Sequence, residues 1–65
     1  MNERRRPVDV ARKYMRSAHW LRGLERAGLI PAAKRDWRGF RYYDAEDEEA
    51  IERFVQRQRE EAATP

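Results

Sequence analysis

Sixty-five residues make one small domain at most, and a chain of this size buries only about 60 % of its unfolded surface, which excludes a two-domain enzyme with a deep cavity. With no Cys and a single His there is neither a disulfide framework nor a zinc centre, and no apolar stretch approaches the roughly 20 residues of a membrane span, so no metal, cofactor or membrane partner is expected. Charge divides unevenly: residues 1–43 hold 12 Lys and Arg against four acids, a balance of +8, and residues 44–65 hold three Arg against eight acids, a balance of −5.

The basic run Arg4-Arg5-Arg6 has nothing to bury, so residues 1–6 are expected to form a flexible arm. Pro7 suits a first helical position, where its missing N–H goes unneeded. Val10, Ala11 and Tyr14 then supply the inner face of a helix over 7–14. Ser17 is the expected N-cap of a second helix over about 17–27, with Leu21 and Leu24 buried and Ala18 and Trp20 beside them. Gly28 at the left-handed C′ position, Leu29 behind it and Pro31 beyond stop that helix at about Ala27. The short link between the two helices implies a helix-turn-helix.

Residues 33–43 carry Trp37, Phe40, Tyr42 and Tyr43 around Gly39, the composition of a two-stranded hairpin turning near 36–39. Asp44 opens a last helix as N-cap, with Asp47 three residues on, an acidic first turn and Arg53, Arg57 and Arg59 later. Ile51, Phe54, Val55 and Gln58 mark its inner face, and residues 60–65 form a tail expected to fray. The domain proper is therefore 7–59, mainly α with a small β-hairpin.

The run Val10-Ala11, Ser17, Leu21-Arg22, Glu25-Arg26-Ala27-Gly28-Leu29-Ile30-Pro31, followed by Gly39-Phe40-Arg41-Tyr42-Tyr43 and Asp47-Glu48-Glu49-Ala50-Ile51, resembles the MerR-like winged helix-turn-helix DNA-binding domain over about residues 7–55. The resemblance implies a recognition helix in the major groove, a wing over 33–43 on the backbone or minor groove, and Arg41 as a phosphate contact. Met15 stands where the family usually has a turn glycine, Arg16 where it has a small apolar residue, Gly23 where it often has Arg or Tyr, Leu24 where it has an aromatic, and Glu48 where an aliphatic residue packs. The long dimerising helix and effector region of full-length regulators are not in this sequence, so it is more similar to free-standing, excisionase-like relatives, with no small-molecule effector expected.

On this reading the DNA-facing residues are Ser17, His19, Trp20, Arg22, Gly23 and Arg26 on the helix and Lys34, Arg35, Trp37, Arg38 and Arg41 on the wing. Arg22 is the first choice for a base contact, since a guanidinium can donate to both O6 and N7 of guanine. Trp20 divides between a sugar or methyl contact and the edge of the core. Arg22, Arg26, Lys34, Arg35, Arg38 and Arg41 would together give steeply salt-dependent binding, with a slope of about −0.9 per phosphate contact.

The expected function is sequence-selective binding of double-stranded DNA by a small transcriptional regulator, in the cytoplasm and associated with the nucleoid. One monomer offers a modest interface, so self-association or head-to-tail arrays on the DNA are expected. The alternatives are an excisionase-type recombination directionality factor, or a protein-interaction adaptor anchored by Trp20, Trp37 and Phe40. Enzyme activity is not expected, for want of a Gly-rich phosphate loop or a paired nucleophile and base.

Overall fold

The computed structural model describes residues 4–63. In chain order these form α1 (Pro7–Lys13), α2 (Ala18–Arg26), strands β1 (Lys34–Arg35) and β2 (Arg41–Tyr42), and α3 (Ala45–Ala63). The fold is thus mainly helical, with one two-stranded antiparallel hairpin in which Lys34 faces Tyr42 and Arg35 faces Arg41. Of the expected arm and tail, residues 1–3 and 64–65 lie outside the described residues.

α1 and α2 end in the same way. After α1, the Met15 N–H donates to the Arg12 carbonyl and the Arg16 N–H to that of Ala11; after α2, Gly28 donates to Glu25 and Leu29 to Leu24. Both are Schellman closures, which need a left-handed residue at C′. Gly28 takes that position at φ 76°, and Met15 takes its counterpart at φ 58°. Leu29 is half-exposed and Ile30 buried, so the chain turns inward one residue after the closure.

Val10 and Ala11 of α1, Leu21 of α2, Ile30, Tyr43, and Ile51 and Val55 of α3 form the buried core, with Tyr14, Trp20, Leu24, Ala33 and Phe54 packed around it. α3 is started by reciprocal bonds: the Asp47 N–H donates to Asp44 Oδ1 at 2.9 Å and the Asp44 N–H to Asp47 Oδ2 at 3.2 Å. This is a capping box with Asp in the place of the usual Glu or Gln. The helix runs on to Ala63, past the expected boundary at 59, but every residue of 56–62 is exposed. Gln58 therefore does not share the inner face expected of it, because the core ends at Val55 and the helix projects beyond.

Arg4 to Arg6 also depart from the expected free arm. Arg5 exchanges backbone hydrogen bonds with Tyr43, donating at 3.0 Å and accepting at 2.8 Å. The Arg4 guanidinium lies 4.8 Å from the Tyr42 ring centre and that of Arg6 lies 5.4 Å from Phe40. The edge of β2 offers unpaired backbone groups and aromatic faces, and a cationic segment satisfies both.

Met15 is 93 % exposed, so its side chain gains little by being there while its backbone is held where a Cβ is disfavoured. Met15→Gly is expected to stabilise the fold by about 0.5–1 kcal/mol, raising the thermal midpoint by about 3–6 °C, whereas Met15→Ala should bring no such gain; circular dichroism melting curves measure both.

Candidate functional site

His19, Arg22, Gly23 and Arg26 recur at i, i+3, i+4 and i+7, so a 3.6-residue period places them on one face of α2. All are exposed, and the opposite face buries Leu21 completely. Ser17 occupies the N-cap with extended backbone, and its side chain makes no capping bond. Trp20 does not join the exposed face. Its ring lies 6.0 Å from that of Tyr14, tilted by 59°, under the Arg16 guanidinium at 5.0 Å, and it packs against the core. Of its two expected roles, the structure assigns the core's edge, because position 20 is adjacent to the stripe through Leu21 and Leu24.

The hairpin is organised by Asp36. Its Oδ1 accepts from the N–H groups of Arg38 at 2.9 Å and Phe40 at 3.0 Å, and Gly39 closes the turn at φ 85°. Burial pushes the Asp36 carboxyl up, but these bonds and Arg38 outweigh it and hold it below its ordinary value. Arg38 pairs with Asp36 at 3.1 Å, and Arg35 Nη1 donates to the Gly39 carbonyl at 2.9 Å. Trp37 stands out from the turn, 90 % exposed.

The other two expected hairpin cations reach partners outside the hairpin. Lys34 Nζ donates to Asp47 at 2.7 Å and pairs with Asp44 at 3.1 Å, which raises its pKa and ties β1 to the start of α3. Arg41 Nη2 donates to Glu25 Oε1 at 2.5 Å, with the arginine side chain only 23 % exposed. Tyr43, fully buried, donates its hydroxyl to the other Glu25 oxygen. Arg41 and Tyr43 are two residues apart on an extended segment, so both point to the same side, where α2 presents Glu25. Lys34 and Arg41, both expected to face phosphate, thus have carboxylate partners within the molecule, while the Lys34 side chain stays 46 % exposed and Arg41 still lines an open surface with Arg22.

Glu25 is consequently a clamp between α2 and the hairpin. Burial pushes its carboxyl up, yet hydrogen bonds from Tyr43, the Ala33 N–H and Arg41 outweigh this and hold it below the ordinary value of 4.5. Burial, reinforced by the Glu25 carboxylate, drives the Tyr43 hydroxyl well above its usual range. Because Arg41 engages Glu25, Arg22 is left without an ion pair among the described residues, and so is Arg26.

The clamp brings cations of α2, the hairpin and the N-terminal segment together. Arg22 of α2, Arg35 and Arg41 of the hairpin and Arg6 line one open hollow of about 360 Å³, together with the apolar Pro7, Val8, Ala18 and Phe40. A neighbouring hollow of about 380 Å³ shares Arg22 and Arg41 and adds Arg26. No residue of α3 lines either hollow. Arg6 and Val8 were missed in the sequence: the first was read as part of a loose arm, and the second lies off the buried stripe of α1.

Glu25→Gln removes the charge that holds Arg41 and is expected to cost about 1–3 kcal/mol at pH 7. The lowered carboxyl value means that the clamp's contribution is complete above about pH 4.5 and is lost as pH falls through the lower folded-state value. The gap between wild type and Glu25→Gln in urea titrations should therefore narrow from pH 7 to pH 3. Gly23 has no neighbour within 4 Å of an added Cβ, so Gly23→Ala should stabilise the isolated chain by about 0.5–1 kcal/mol, read from the same titrations. No internal packing requires that glycine.

Among the described residues no helix is long and apolar enough to cross a membrane. Compared with protein-family models, curated proteins and solved structures, the chain matches none of them.

Proposed function

We propose that this chain binds double-stranded DNA as a winged helix-turn-helix module of MerR-like type, acting as a small transcriptional regulator. α2 is the recognition helix, entering the major groove with His19, Arg22 and Arg26, and the β1–β2 hairpin is the wing. The observation that carries this reading is the placement of Arg22: exposed, without an ion pair, and lining one hollow with Arg6 and Arg35. Two elements far apart in sequence thus present cations to a common space. Phosphates on either side of a groove would meet such an arrangement while a base edge meets the helix.

Three further features support it. The left-handed residue between α1 and α2 is Met15, at the position where the resembled pattern has glycine. The acids of α3 turn elsewhere: Glu48 pairs with Arg5 and Lys13, each at 3.6 Å, Glu52 accepts from Tyr14, and Asp44 and Asp47 hold Lys34. The open side of Gly23 leaves room for a phosphate backbone to approach the helix.

With Lys34 and Arg41 engaged internally and Arg38 compensated by Asp36, the open cations of this face are Arg6, Arg22, Arg26 and Arg35. Four phosphate contacts would give a logarithmic salt slope of about −3 to −4, shallower than six would. The test is a mobility shift with duplexes enriched from a random library, at two salt concentrations. Arg22→Glu/Arg26→Glu, altering two exposed residues without internal partners, is expected to weaken binding by at least about a hundredfold while leaving the melting curve unchanged. Binding that survives this double charge reversal would refute the assigned face.

A further inference from the structure

The tip of the hairpin differs from the rest of the proposed DNA face. The cation within its turn, Arg38, is compensated by Asp36 at 3.1 Å, and Arg4 and Arg6 line a hollow beside it with Trp37 and Phe40. What the turn itself offers is aromatic surface: Trp37 at 90 % exposure and Phe40 at 50 %. The Arg38 guanidinium lies 5.5 Å from the first ring centre and 5.0 Å from the second.

This surface is firmly held. The Asp36 N–H donates to the Phe40 carbonyl and the Gly39 N–H to the Asp36 carbonyl, both at 2.9 Å, and the Asp36 carboxylate accepts the N–H groups of Arg38 and Phe40. A large ring on a fixed turn loses little conformational freedom on docking. Cations without an ion pair among the described residues flank it further down the hairpin, at Arg35, which donates to the Gly39 carbonyl, and, in the same hollow, at Arg6 and Arg22. Together they describe an uncharged wedge with positive shoulders.

We propose that Trp37 is a wedge that enters the minor groove and inserts partway between two base pairs, bending the duplex while the flanking arginines hold its phosphates. The inference rests on the DNA reading above and adds to it a deformation and a preferred sequence. Pyrimidine–purine steps unstack most easily, so one of them should lie under the wing even though no hydrogen bond reads it. Opening the step offers the indole two base faces, and bending brings the phosphates on either side toward Arg35 and Arg22.

The test uses end-labelled duplexes enriched from a random library, with bend angle read by energy transfer and affinity by mobility shift. Because Trp37 is exposed, Trp37→Ala should melt like the wild type. It is expected to lose most of the bend and to bind intact duplex on the order of tenfold more weakly, whereas Trp37→Phe should keep most of both. On a duplex already hinged by a mismatch at the same step, Trp37→Ala should recover to within about twofold of wild type, since the unstacking is then supplied by the DNA. A bound duplex that is straight, or equally bent by Trp37→Ala, overturns the wedge and leaves the DNA reading standing. Single strands that outcompete duplex would assign Trp37 to stacking on unpaired bases and overturn the wedge as well. Failure of the wild-type chain to bind any duplex overturns the DNA reading, and the wedge with it.

Discussion

The Glu25 carboxylate is the constraint on which the arrangement of this small molecule depends. It stands on α2, yet its two oxygens receive the guanidinium of Arg41 and the hydroxyl of Tyr43 from the far side of the hairpin. Tyr43 is wholly buried and its backbone also pairs with Arg5, so one carboxylate joins helix, hairpin and N-terminal segment. A chain this short has few apolar side chains with which to fix the angle between its parts. A directed, partly buried contact does so, and the geometry of the open cations follows from it.

The uneven charge of the sequence acquires a different meaning in three dimensions. Along the sequence a basic body of balance +8 stands apart from an acidic end of balance −5. In the fold, much of the acidic end is matched to the basic body: Glu48 to Arg5 and Lys13, Asp44 and Asp47 to Lys34. These pairs, in which the cations are half-exposed and Asp47 and Glu48 largely covered, decide which cations stay open. Of those left without an ion pair among the described residues, Arg6, Arg22 and Arg35 share one hollow and Arg26 lies in the next.

Local grammar made most of the elements legible. Pro7, Gly28 and the pair Asp44/Asp47 act over a few residues, through backbone geometry and capping bonds that a sequence states directly. The face of α2 was likewise readable from its period. The partners of the charged residues were not, because each pair joins positions far apart in the chain: Arg41 looks like any cation of a wing until α2 is laid beside it. Trp20 was ambiguous for a related reason, since a residue bordering an apolar stripe falls on either side of it depending on what Tyr14 and Arg16 do. The length of the last helix went unread because, past Val55, it has no apolar stripe to follow.

One departure from the resembled family pattern, at position 48, bears on the proposed DNA face. Glu48 stands where an aliphatic side chain would pack, and it is largely buried, with a side chain 15 % exposed and paired with Arg5 at 3.6 Å. Arg5 is in extended backbone, so its neighbours Arg4 and Arg6 point the opposite way, over Tyr42 and Phe40 respectively. Those two aromatics are themselves two residues apart and therefore share a side of the hairpin. A contact on one side of the N-terminal segment thus positions a cation on the other, at the rim of the hollow that Arg22 lines. An aliphatic residue at position 48 would pack against α1 but could not draw Arg5 toward α3. The acid at 48 thus helps give the proposed DNA face its fourth open cation, although it lies on a helix that never reaches that face.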